Sequence, residues 1–265
     1  MPIPHEDVIR LISFFSVFAL MALWEVLAPK RVLSVSKTLR WSSNIALVIL
    51  NSVILRLAFP AAATGMAIYA VAHGWGLFNW LQTPAWLAIS VSVILLDMLI
   101  YWQHVMMHHL PLLWRLHRVH HIDLDIDVTT GARFHPIEIL ISMVIKFAAI
   151  TLLGAPVLAV LIFEVVLNAM AMFNHSNVAL PYMLDHSLRK VLVTPDVHRV
   201  HHSVEIIETN SNYGFNLVCW DKLFATYREQ PMAGHKGMTI GLLEWRNPNI
   251  CCHLKGMLSI PFFRK

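Results

Sequence analysis

Long apolar runs separated by short polar joints fill the first two thirds of the chain, and their lengths predict helices that cross a bilayer. The first covers residues 11–28, holds Glu25 near its end and stops at Pro29-Lys30-Arg31. It has no small-residue cleavage site behind a basic start, so it reads as a retained helix and not a signal peptide. A second run begins near Ser43 and ends around Pro60; its Arg56 needs a partner or a path to the headgroups. Residues 61–72 fit either an extension of that helix or a piece lying in the interface. A third span, 85–103, leads directly into a polar stretch from His104 to Glu138. Two shorter arms follow, 139–153 and 156–173, broken at Gly154-Ala155-Pro156. Their lengths allow a hairpin that dips in and returns, or two complete crossings. From Asn174 onward the pattern is polar with short apolar segments, as expected of a cap outside the bilayer ending in a tail near Lys265.

Charge orients these elements. Segment 30–40 carries Lys30, Arg31, Lys37 and Arg40, whereas segment 60–84 carries no Lys or Arg. The positive-inside rule then places the first loop, the end of the third helix and the cap in the cytoplasm. The expected fold is an all-α membrane protein of about four to five transmembrane or hairpin helices with a cytoplasmic, histidine-rich helical cap. Its expected divisions are membrane helices over 1–84, a histidine-bearing domain over 85–230 and a C-terminal tail over 231–265. Composition points the same way: 57% apolar and 14% charged residues lie outside the usual range of soluble domains. The net charge of +4 comes from residues scattered along the chain or flanking apolar runs, with no block that could track phosphates, which speaks against a nucleic-acid partner. Cys219, Cys251 and Cys252 form neither a CxxC pair nor an even-numbered framework and read as reduced thiols.

Histidine is the anomaly, with 16 copies, 12 of them between His104 and His202. On the third helix Asp97, Tyr101, His104 and His108 fall within about 60° of one another on one stripe, while His109 points roughly 100° away. His117, His120 and His121 form HxxHH, whose members are helical neighbours expected to face together. The pentapeptide His-Arg-Val-His-His recurs unchanged at 198–202, adding His198, His201 and His202. Thr194, Pro195 and Asp196 prepare that second copy as a helix start. A solvated basic face would not repeat paired imidazoles three times without a Lys or Glu among them. Eight imidazoles exceed the needs of one tetrahedral ion; two ions with open positions fit better.

These residues carry a resemblance. Asp97-x3-Tyr101-x2-His104-x3-His108, Trp114-x2-His117-x2-His120-His121, Arg133-x-His135-Pro136-x-Glu138, Phe173-x-His175-Ser176-Asn177, Thr194-Pro195-x2-His198-x2-His201-His202-Ser203, Asn212-Tyr213-Gly214 and Trp220-Asp221 together resemble the fatty acid hydroxylase and sterol desaturase superfamily, over about residues 85–230. The preceding spans resemble those of bacterial members, which implies a bacterial inner membrane. The resemblance implies a non-haem di-iron centre at the cytosolic face held by His104, His108, His117, His120, His121, His198, His201 and His202. It leaves His175 as a ninth ligand or a group behind the ligands, and His135 between that and an ordinary turn role. Asp97 and Tyr101 are expected to orient imidazoles or bound water. Glu164, Asn168 and His175 share a helical face that could line the lower side of the site or bond one hairpin arm to the other.

Imidazole suits several metals, so the resemblance alone selects iron, with zinc as a possible substitute. It implies O2-dependent hydroxylation or desaturation of a lipid C–H bond. Electrons must come from outside, since the chain has no GxGxxG, CxxCH or iron–sulfur cysteine set; a ferredoxin, cytochrome or reductase is implied. A zinc-dependent membrane hydrolase would need no reductant, but no HExxH supplies its base. A metal transporter would scatter ligands along a transmembrane path, whereas these sit at helix ends and in the cap.

Overall fold

The computed structural model describes residues 3–263; Arg264 and Lys265, the last of the expected tail, lie outside the described residues. Helices α1 (Glu6–Leu27), α2 (Lys37–Ala58), α3 (Ala62–Ala72), α4 (Leu77–Trp80) and α5 (Ala85–His109) precede α6 (Pro111–His121), α7 (Pro136–Leu153), α8 (Val157–His175), α9 (Tyr182–Leu188) and α10 (Pro195–His201). Short helices complete the C-terminal part, and β-structure among the described residues is confined to isolated bridges.

Among the described residues, five segments are long and apolar enough to cross a membrane: α1, the stretch from α2 through α4, α5, α7 and α8. Several helices outrun the apolar runs that announce them. Helix α5 continues six residues past 103 and carries the first histidines on its last turns. The hairpin arms reach 18 and 19 residues because polar ends extend the apolar runs, so each is about 27 Å long, close to the thickness of a hydrocarbon core. That length favours two full crossings over a shallow dip. Gly154 ends α7 in the left-handed region (φ +65°), and its turn packs against Trp75 and against Asn79 of α4. Residues 61–72 become α3, a separate helix after the break at Pro60, packed on α7 and α8.

The loop after α1 lies against the cap. Lys30 Nζ is 2.7 Å from Asp196 Oδ2, Arg31 donates to the carbonyls of His235 and Met238, and the backbone of Ser34 and Val35 donates to Asp125. The Lys/Arg-bearing loop and the histidines therefore share one end of the molecule, opposite the Gly154 turn and the uncharged 60–84 segment.

At the junction of bundle and cap, Arg40 is fully buried. Its Nε and Nη2 donate to the two oxygens of Asp123 at 2.7 and 2.8 Å, and its Nη1 to Asp127 at 2.5 Å. Arg133 lies 3.5 Å from Asp123 and donates to the carbonyls of Val119 and Cys251. Burial alone would raise the Asp123 carboxyl, but the two guanidinium groups bring it down to about 2. Arg40 thus serves packing and contributes no free charge to the loop's orientation signal.

Candidate metal centre

Nine buried histidines meet where α5, α6, α8 and α10 converge. His104 and His108 stand on the last turns of α5. A single extended residue, Leu110 (φ −92°, ψ 116°), then reverses the chain before Pro111 opens α6, because a residue ahead of proline is driven out of helical geometry. This joint brings the His108 and His117 rings to a centroid separation of 5.0 Å. His175 ends α8. On α10, Thr194 accepts from Val197 N and Pro195 takes the first position, which starts the helix three residues before His198.

The nine divide into two groups. His104, His108, His117, His121 and His201 each direct one ring nitrogen into a common space where those atoms lie within 4.8 Å of one another; His120, His175, His198 and His202 do the same beside them. The HxxHH members do not all face one way. Residues four apart on a helix differ by about 40°, whereas the middle histidine is turned about 60° and 100° from its two companions. Each pentapeptide thus sends its outer pair to one group and its middle histidine to the other: His117 and His121 join His201, and His198 and His202 join His120.

Hydrogen bonds select the ring atom that faces inward. Nδ1 of His104 donates to Tyr213 O at 2.8 Å, that of His117 to Glu138 Oε1 at 2.7 Å, that of His201 to Ser211 O at 2.7 Å and that of His175 to Ala171 O at 2.7 Å. His108 Nδ1 meets Asn210 Oδ1 at 3.2 Å. A nitrogen that donates to oxygen leaves the other ring nitrogen with a free lone pair, and in all five cases that is Nε2.

Those inward nitrogens lack suitable protein partners. Nε2 of His108 and of His201, and both nitrogens of His121, are buried and unbonded. Elsewhere Nε2 faces Nε2, at 3.1 Å for His104 and His117, 3.0 Å for His120 and His175, and 2.9 Å for His175 and His198. Two nitrogens bound to one ion at about 2.1 Å would sit about 3.0–3.4 Å apart, so the spacing is that of ligands around a metal. Burial first, and neighbouring imidazoles next, push His120, His121, His198 and His202 well below the ordinary histidine range; burial takes His201 down to about 3. Neutral rings with inward lone pairs fit a metal.

The remaining expected site residues lie further out. Asp97 accepts from Trp220 Nε1 at 2.8 Å, and Tyr101 OH is 3.0 Å from Thr226 Oγ1; neither bonds an imidazole among the described residues. Among the described residues, hydrogen bonds link Tyr101 to the histidines only through Thr226 and Asp221. Asp221 receives Tyr213 N and Gly214 N, fixing the carbonyl that holds His104, and Thr226 donates to Asp221. Burial pushes Asp221 up to about 6. His135 caps α7, accepting from Ile137 N, and stands outside both groups. Sequence reasoning gave no role to Glu138, Asn210 or Ser211, although Glu138 lay inside a recognised motif.

Beneath His104 and His117 a cavity of about 440 Å³ opens between α2, α5, α7 and α8, walled in part by Met107, Phe134 and Phe215. Glu164 and Asn168 also line it, so the face shared with His175 does reach the cavity. Glu164 also bonds the other arm through Lys146 at 2.7 Å, and α1 through Arg10 at 2.8 Å.

A family model described as fatty acid hydroxylase matches residues 89–226, a segment that includes all nine histidines. The chain is 29% identical over 229 residues to ornithine lipid hydroxylase OlsE of Rhizobium tropici, covering 83% of this chain and 67% of that protein. It is 27% identical over 161 residues to alkylglycerol monooxygenase of Homo sapiens and 29% over 176 residues to that of Danio rerio, covering 58% and 64% of this chain. It spans 33% and 38% of those two proteins. No solved structure matches the chain.

Proposed function

Because the chain belongs to the fatty acid hydroxylase family, we propose that it is an integral-membrane oxygenase that uses O2 to hydroxylate or desaturate a bilayer lipid, with iron at both histidine groups. The observation that carries the reading is the pair of buried all-imidazole groups, the five-membered one reaching a lipid-sized cavity through His104 and His117. Bound iron would supply, with O2, the oxidising power to break an unactivated C–H bond. His104, His108, His117, His121 and His201 would hold one ion, and His120, His175, His198 and His202 the other.

The chain's own work is positioning and exclusion of water. Glu138, Asn210 and the carbonyls of Tyr213, Ser211 and Ala171 fix ring orientation and keep each Nδ1 proton in place. The apolar cavity walls hold one segment of lipid against the centre and keep bulk water out. Ornithine lipid and alkylglycerol, named for the relatives, are the first substrates to try. Electrons would come from a ferredoxin, cytochrome or reductase approaching the cap. The loop with Lys30, Arg31 and Lys37 packs beside that cap, so the positive-inside rule supports a cytoplasmic site, in an inner membrane if the source is bacterial.

The test is metal analysis of aerobically produced protein together with O2 uptake and mass spectrometry of lipids, with a ferredoxin and reductase supplied. About two irons per chain and a lipid gaining one oxygen or losing two hydrogens are expected. Active protein with a single metal would contradict the dinuclear centre, and lipid cleavage without O2 would favour a zinc hydrolase.

A further inference from the structure

Tyr101 bonds no imidazole, yet it stands in a file of aromatic rings that joins the five-histidine group to the surface. The Tyr213 ring centroid lies 5.1 Å from that of His108, 5.6 Å from that of His104 and 5.7 Å from that of His201. Tyr101 follows at 6.3 Å from Tyr213; Trp102 and Phe224 then stand 5.4 and 5.3 Å from Tyr101 and 4.7 Å from each other. Each step falls within the range of aromatic contact. Both tyrosines are buried, whereas Trp102 is 42% and Phe224 37% exposed. The file therefore runs from three of the imidazoles to the outside without a break.

The two tyrosines differ in what their hydroxyls meet. The Thr226 hydroxyl has one hydrogen and gives it to Asp221 Oδ1 at 2.7 Å, so across the 3.0 Å contact it is Tyr101 that donates to Thr226 Oγ1. A phenol that loses an electron becomes strongly acidic, and Tyr101 has a route for the proton: to Thr226, as Thr226 passes its own to the buried Asp221 carboxylate. The Tyr213 hydroxyl is buried without a hydrogen-bond partner among the described residues, so that ring can pass an electron but has nowhere to release a proton. Trp114 also lies against the group, 4.9 Å from His108, but it is a single ring outside this file.

We propose that Tyr213, Tyr101 and Trp102 form a relay that drains oxidising equivalents from the five-histidine group to the surface when no lipid C–H bond is in place to receive them. This rests on the oxygenase reading and adds a second, protective function to it. Tyr101 gives one electron inward through Tyr213, where it reduces the oxidant derived from O2; its phenolic proton moves to Thr226 and the Thr226 proton to Asp221. A neutral tyrosyl radical and a protonated carboxylate result. Trp102 then returns one electron to Tyr101 as the protons move back, and the external electron donor that serves the reaction restores Trp102.

The test mixes iron-loaded, chemically reduced protein in detergent micelles without lipid with O2, freeze-quenches it and reads electron paramagnetic resonance, with O2 uptake followed in parallel. An organic radical is expected whose signal narrows when the protein carries ring-deuterated tyrosine, and which Tyr101→Phe abolishes and Thr226→Val slows at matched iron content. Peptide mass spectrometry after repeated cycles should find oxidation of His104, His108 and His201 raised several-fold in Tyr101→Phe. A radical equally strong in Tyr101→Phe, one removed by Trp114→Phe instead, or histidine oxidation unmoved by Tyr101→Phe would overturn the relay. So would wild-type protein that consumes O2 and forms no organic radical, or that oxidises lipid but takes up no O2 in its absence. Those results leave the oxygenase reading standing; iron-loaded protein that consumes no O2 with or without lipid removes that reading, and the relay with it.

Discussion

His108 and His109 are neighbours in sequence and opposites in environment: one is buried in the five-histidine group, the other is exposed. His108→Ala should lose metal and lipid oxidation, while His109→Ala keeps most of both. Metal analysis and turnover at matched membrane expression check this, with His201→Ala as a second loss control; equal loss from both neighbours would contradict the geometry. Glu138→Gln preserves an acceptor for His117 but removes its charge, and should weaken metal binding about 10- to 100-fold, measured by chelator competition. At Arg40 the effect is on folding. Arg40→Ala strands Asp127 without its buried cation and leaves Asp123 with Arg133 alone, and should cost about 3–5 kcal/mol, seen as a large fall in thermal midpoint. An unchanged midpoint would mean that water hydrates the pocket.

Helices α7 and α8 form a hairpin whose two ends do different work. One end presents Glu138 and His175 to the histidine groups; the other turns at Gly154 beside Trp75 and Asn79. A Cβ at Gly154 would lie 2.6 Å from both Asn79 Nδ2 and Trp75 O, on a backbone with φ +65°. Gly154→Ala should therefore lower stability by about 1–2 kcal/mol or more, through left-handed strain plus the clash. The histidine end lies about 27 Å away along α7, so iron per folded molecule should not change. Thermal unfolding and metal content measured on one preparation separate the two effects, and loss of iron in proportion to stability would mean that the hairpin transmits strain along its length.

Acid should weaken the molecule through several groups acting in one direction. An unfolded histidine takes up a proton near pH 6.5, but burial holds His201 uncharged down to about 3. The unfolded chain binds more protons across that window, so this contribution is complete above about pH 6.5 and is lost as pH falls toward 3. Asp123, held down to about 2, adds stability that is complete above about pH 4 and lost as pH falls through 2. In metal-free protein the thermal midpoint should drop steadily below about pH 6.5, and His201→Gln should flatten the upper part of that decline. A midpoint independent of pH in both proteins would contradict burial of neutral imidazoles.

The apolar runs, the charge asymmetry and the two pentapeptides can be read without coordinates, because each reflects a local rule: the length needed to cross a bilayer, the distribution of Lys and Arg, and the angular step of a helix. They identify the helical membrane architecture and the histidine sets. Local rules cannot say which rings share an ion. That depends on how α5, α6, α8 and α10 cross, and on the one-residue joint at Leu110 that folds His108 back onto His117. The same limit explains His175 and His135. Each is a single histidine at a helix end, but the end of α8 falls inside the cluster, whereas the start of α7 lies outside it, where the ring is spent on capping. The Arg40 network was equally hidden, since its charges stand more than eighty residues apart and meet only once the first loop has packed against the cap.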